Sequence, residues 1–84
     1  ASRVGVISIV VENNDSTAEL NAVLHQYGEY IIGRMGIPYR QRSISIISVA
    51  VDAPQDVIST LSGKIGNLKG VSAKTVLSNV ISDE

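Results

Sequence analysis

Residues Arg3 to Glu12 (RVGVISIVVE) are β-branched and almost wholly apolar, which predicts a strand. Asn13-Asn14-Asp15 is a turn. Ser16 with Glu19 three residues on predicts a capping box. Leu20, Val23, Leu24 and Tyr27 recur at helical spacing, and Gly28 is placed to stop that helix. A second strand is predicted from Tyr30 to about Met35. Ile37 to Arg42 connects it to a third strand over Ser43–Val51. Pro54 stands at a first helical position. Val57, Ile58, Leu61 and Ile65 form the stripe of a second helix, with Gly66 at its end. Gly63 inside that helix costs about 1 kcal/mol relative to Ala. Val71, Ala73, Thr75 and Leu77 alternate along a fourth strand. The tail from Ser78 on, residues 79–84 above all, is expected to be loosely held.

The order β-α-β-β-α-β is the split βαβ, or ferredoxin-like, arrangement. The fold class is therefore α+β, in one domain over residues 1–84. Right-handed crossovers put both helices on one face of a four-stranded antiparallel sheet, with the first and third strands as central neighbours.

The pattern breaks one rule. A sheet covered on one side should alternate apolar and polar residues. Here Ile7, Ile9 and Val11 point one way, and Val4, Val6, Ser8 and Val10 the other. On the third strand Ile47, Val49 and Val51 oppose Ile44, Ile46, Ser48 and Ala50. Both faces of both central strands are apolar. Exposed apolar patches of that kind mark interfaces. Val4, Val6, Val10, Ile44 and Ile46 are the expected interface residues of a homo-oligomer, a dimer or tetramer. The alternative is an apolar face left to solvent.

Composition narrows the function classes. At 84 residues the chain can bury roughly 60% of its unfolded surface, and domains this small often gain stability by oligomerising. With no cysteine there is no disulfide framework and no thiolate metal site, which fits a cytoplasmic protein. The apolar run Val4–Val11 is too short to span a membrane and, bounded by Arg3 and Glu12, does not read as a signal peptide. The chain opens on Ala1, so an initiator Met is removed or left out. A net charge of -1, no Phe or Trp and only three Tyr give no nucleic-acid footprint.

Little in the chain carries chemistry. His25, the one histidine, falls opposite the buried stripe, near Ala18, Asn21 and Ala22. It reads either as a solvated residue near a helix C-terminus or as a ligand at an interface. One histidine per chain cannot fill a zinc sphere of about four ligands, so no metal site and no cofactor are expected in one chain. Three of the four arginines, Arg34, Arg40 and Arg42, fall within nine residues. Guanidinium forks bind carboxylates and phosphates. The plainer possibility is a charged hairpin, or pairing with Glu29 across a subunit boundary. Asn13-Asn14-Asp15 suits an anion less than a turn and cap. Gly33-x-x-Gly36 is too short for a phosphate-binding fingerprint; it suits a bulge or a close backbone approach. No nucleophile–base pair and no poised carboxylate pair is visible, so the chain reads as non-enzymatic.

The order of residues carries one resemblance. Leu24-His25-x-Tyr27-Gly28, Ile32-Gly33-Arg34-Met35-Gly36-Ile37-Pro38-Tyr39-Arg40, Ser45-Ile46-Ile47-Ser48, Leu61-Ser62-Gly63-Lys64-Ile65-Gly66 and Gly70-Val71-Ser72 resemble the iron-only hydrogenase system regulators. The resemblance runs from Arg3 to about Leu77. It implies a bacterial regulatory module similar in fold to ACT domains and to the C-terminal domain of nickel-responsive repressors. Such a module oligomerises, senses a small molecule or anion and acts through a protein partner; read from the residues themselves, Arg34, His25, Tyr39, Arg40 and Arg42 are the candidate ligand-binding positions. Nothing in these residues reads as the ribbon-helix-helix DNA-binding domain of the nickel repressors, and of their several metal-ligating histidines and a cysteine only His25 has a counterpart. Direct nucleic-acid binding is not expected. Two classes stay open: a ligand-responsive regulatory domain, with a metal-responsive form as its weaker version, and a structural or assembly module without ligand.

Overall fold

The computed structural model describes residues 2–82. Its elements are β1 (Ser2–Val11), a 3-10 turn (Asn14–Ser16), α1 (Thr17–Gln26), a second 3-10 turn (Gly28–Tyr30), β2 (Ile31–Tyr39), a third (Arg40–Arg42), β3 (Ile44–Ala53), α2 (Gln55–Gly66) and β4 (Val71–Ser82). The four strands form one antiparallel sheet in the order β2-β3-β1-β4. That is the ferredoxin-like arrangement, with β1 and β3 at the centre.

Alternation along the central strands selects the core. Ile7, Ile9, Val11, Val49 and Val51 are sealed against Leu20 and Leu24 of α1 and Ile58, Leu61 and Ile65 of α2. The same alternation turns Val4, Val6, Val10 and Ile46 to the face without helices, where they stay exposed.

Several boundaries differ from the sequence expectation. β2 runs on to Tyr39, through residues expected to be connection. Pro38 is tolerated because β2 is an edge strand, where proline need not donate to a second neighbour. Pro54 is the N-cap of α2 rather than its first residue. β4 continues to Ser82, correcting the expected loose tail over 79–82: β1 begins at Ser2, and Ser2 and Arg3 pair with Ser82 and Ile81. Residues 83 and 84 lie outside the described residues. The pairing slips between Arg3 and Gly5, and there Arg3 donates from Nη2 to the Ser78 carbonyl at 2.7 Å and from Nη1 to Gln55 Oε1 at 3.2 Å.

The capping box does not form. Ser16 makes no side-chain cap; it is buried, and its hydroxyl donates to the Lys69 carbonyl at 2.6 Å. The cap of this corner is Asn13, whose Oδ1 accepts from the Asp15 N–H at 2.9 Å. Gly70 closes the same corner. Its φ is +70°, and a Cβ there would lie 2.5 Å from the Asn13 Cβ. The Glu12 N–H donates to the Gly70 carbonyl at 2.7 Å, so the β1–α1 and α2–β4 connections are tied together.

Candidate functional site

The five candidate ligand residues spread over the β2–β3 hairpin and the end of α1. Arg34 pairs with Val49 across the sheet, so its side chain rises on the helix side. There its Nη2 donates to Asn21 Oδ1 on α1 at 3.2 Å. Asn21 stands one helical turn before His25, so Arg34 and His25 border the same exposed edge between α1 and β2. Within one copy Asn21 is the side-chain partner of Arg34; the pairing with Glu29 expected across a subunit boundary concerns a second copy. Tyr39 is five residues from Arg34 on the same strand, and parity turns it to the opposite, helix-free face, where it is 43% exposed. Arg40 and Arg42 are exposed in the 3-10 corner that ends the hairpin, before Ser43 in a left-handed conformation (φ 54°). Arg40 borders a groove of about 230 Å³ with Asn14, Pro38, Ser43, Ile44 and Ser45. The fold thus brings Arg34 to the His25 helix and separates both from Tyr39.

The helix-free face of the sheet carries most of the exposed large hydrophobic side chains among the described residues. Register sorts it into cross-strand rows. One row is Val76, Val6, Ala50 and Gly33; the next is Lys74, Ser8, Ser48 and Met35; the third is Ser72, Val10, Ile46 and Ile37. Val4 and Asp52 stand beyond the first row, and Ile44 and Tyr39 beyond the third. Of the expected interface residues, Val4, Val6, Val10 and Ile46 are exposed here and Ile44 is half-buried. Sequence reasoning missed the share taken by β2 and β4: Met35 is 72% exposed, Val76 69% and Ile37 62%. The signal was present in Met35, Ile37 and Tyr39 alternating with Gly36 and Pro38, but Pro38 masked it. The small residues Gly33, Ser48 and Ala50 leave a trough of about 410 Å³ on this face, bounded by Val6, Met35 and the backbone of Arg34. A bulge lies between Ile31 and Gly33, as the glycine suggested, but among the described residues, its two chain neighbours aside, none comes within 4 Å of a Cβ built at Gly33. The close approach expected there is not made within one chain.

A third groove, about 450 Å³, runs between α2 and β4; Thr75 donates to Ser62 at 3.1 Å along it. Among the described residues no three of His, Cys, Asp and Glu gather as a metal site, and no helix is long and apolar enough to cross a membrane.

The comparisons agree with this architecture. A formyltetrahydrofolate deformylase from Pseudomonas putida KT2440 matches 92% of this chain with 29% of its own, at a TM-score of 0.66 and 13% identity; the two share the fold. The uncharacterized protein TM1266 from Thermotoga maritima is 35% identical, with a TM-score of 0.88 over 92% of this chain and 98% of that one. No curated protein matches the chain. The family model described as "TM1266-like: Iron-only hydrogenase system regulator, putative" matches residues 3–75. With nearly the whole domain matched, the chain belongs to this TM1266-like, iron-only hydrogenase system regulator family.

Proposed function

We propose that this chain is a non-catalytic, ACT-like regulatory domain that works as a homo-oligomer, responds to a small anionic ligand and acts through a protein partner in the cytoplasm. The carrying observation is the helix-free face, with apolar side chains on all four strands exposed in one copy. A surface of that extent is a liability for a solitary monomer and an asset for an assembly. The family's description as a regulator supports a binding role over catalysis. Arg34 is the best anchor for an anion. Its bond to Asn21 uses one of five N–H donors, and the strand positions it better than the corner positions Arg40 and Arg42. Sedimentation at micromolar concentration tests the assembly. A species larger than one chain is expected, and a charge at Ile46 or Val6 should weaken it more than one at Ser59. A monodisperse monomer would remove the basis of this reading.

One observation favours the second reading, an assembly module without ligand. The candidate ligand residues do not converge on one cavity, since Arg34 and Tyr39 lie on opposite faces. Thermal shift separates the two readings. A ligand of the native state stabilises by RT ln(1 + [L]/Kd), about 2.7 kcal/mol at a hundredfold excess over Kd.

A further inference from the structure

The exposed sheet face is complementary to itself in size and charge. Call the line Lys74–Ser8–Ser48–Met35 the middle row. On the β3–β2 half of the face, the row on one side of it is small, Ala50 and Gly33, and forms the trough. The row on the other side is large, Ile46 and Ile37. Charge is distributed in the same sense. Asp52 stands at the end beyond the small row; Arg40 and Arg42 follow Tyr39 at the end beyond the large row.

We propose that a second copy of this chain covers the face about a two-fold axis lying along the middle row. The proposal rests on the homo-oligomer reading above and specifies its register. A two-fold in that position exchanges the rows on either side. Ala50 then receives the partner's Ile46, and Gly33 the partner's Ile37. The open space over Gly33, which the chain does not fill, takes that side chain. Asp52 reaches the partner's Ile44–Tyr39 end, beside a corner carrying two guanidiniums, where a carboxylate is the matching charge. Strands of the two sheets stay roughly aligned across a layer of about 10 Å, as in stacked sheets generally. Lys74 meets its own copy only at the rim, where a lysine keeps its ammonium in water.

Other two-folds fit less well. An axis along the large row stacks Ile46 on itself and leaves the small row uncovered. An axis parallel to the strands, between β1 and β3, stacks Ile46 on the partner's Val10 and lays Asp52 on the partner's Val4. The area suffices. Four strands about 4.8 Å apart and some nine residues long present roughly 570 Å² per copy, or about 1,100 Å² in all. That clears the ~1,000 Å² expected of a specific interface.

The test is a cycle of two substitutions, Ala50→Leu and Ile46→Ala, read as the dissociation constant of the full chain by sedimentation. The positions are four residues apart on one strand, about 13 Å, too far to touch within a copy. Filling the trough alone should weaken association at least tenfold. Removing the opposing side chain in the same chain should recover most of that loss, so the double variant associates at least tenfold more tightly than the product of the single effects. Circular dichroism and urea unfolding of each variant verify that the fold is intact. An oligomer in which the two effects simply multiply would overturn this register and leave the homo-oligomer reading standing. Coupling of Ala50 to Val6 in their place would assign the axis parallel to the strands and overturn it too. A wild type that never associates would end both.

Discussion

The two faces of the sheet come from the same strands and nearly the same amino acids, yet they have opposite fates. Ile7, Ile9, Val49 and Val51 are fully enclosed by two helices. At the opposite parity of the same two strands, Val6, Val10 and Ile46 keep 36–44% of their surface exposed. Side-chain chemistry therefore does not decide which side is the core. The connections do: both crossovers pass over one face, and each helix carries a leucine or isoleucine stripe to seal it. The other face carries Val6, Val10, Ile46 and Ile37 on either side of a more polar line through Lys74, Ser8 and Ser48, and neither helix passes over it.

Substitution should separate the two faces cleanly. Leu61→Ala, in the sealed layer, removes a side chain 1% exposed and should cost 2–5 kcal/mol of unfolding free energy at every protein concentration. Ile46→Asp should cost the unfolding of a single copy about 1 kcal/mol, less than Leu61→Ala, because the side chain is already 44% exposed and the loss is mainly of strand propensity. Its effect should appear as a loss of association and of any concentration dependence in Tm. Urea unfolding at three protein concentrations distinguishes them. Equal effects of the two on the dilute protein would show that the open face stabilises the fold of one copy.

A second expected effect is smaller and local to the corner that holds the helix-side layer together. Gly70→Ala forces an L residue to φ +70°, at about 1–2 kcal/mol, and drives a Cβ into Asn13. The loss in urea should reach about 2 kcal/mol or more, with no change in the association constant of the folded protein. Gly5→Ala would bring a Cβ to 2.9 Å from Leu77 Cδ2 and 3.1 Å from the Val76 carbonyl oxygen; the Leu77 end can yield, the backbone oxygen less so, and without a positive φ the cost should stay below that of Gly70→Ala.

The fold was legible because the strands state their faces. Ile7, Ile9 and Val11 alternating with Val6, Ser8 and Val10 set both the central position of β1 and the apolar second side. Terms set by distant residues were not legible. Ser16 looked like a helix cap, but its hydroxyl serves the carbonyl of Lys69, 53 residues on. Ile37 to Arg42 looked like a connection, and only the topology shows that β2 runs on through Pro38 as an edge strand. The tail looked loose until the start of β1 gave it a partner at Ile81 and Ser82. The candidate ligand residues were chosen by closeness in sequence; strand parity sends Arg34 and Tyr39 to opposite sides, and closeness along a strand says nothing of that kind until the register is known.

The smallest expected effect on stability, and the sharpest on function, falls at the edge where the two faces meet. Arg34 is exposed, and its one side-chain bond, to Asn21 at 3.2 Å, is an exposed one of the kind that contributes little. Arg34→Ala should therefore change unfolding by no more than about 0.5 kcal/mol, and the second copy should still bind, because the side chain stands on the helix side. If the domain senses an anion through this residue, the ligand-induced rise in Tm seen with the wild type should vanish in the variant. Screening amino acids, nucleotides and inorganic anions by thermal shift finds the ligand, and repeating the titration with Arg34→Ala and with His25→Ala locates it. Loss in both variants points to the α1–β2 edge as the binding site. Unchanged affinity in both removes that edge from consideration and leaves the groove beside Arg40, on the far end of the hairpin, as the next position to test. A shift that responds only to transition metals, and only while His25 is present, would instead favour the metal-responsive version of the domain, with the remaining ligands supplied on the helix side, away from the face the second copy covers.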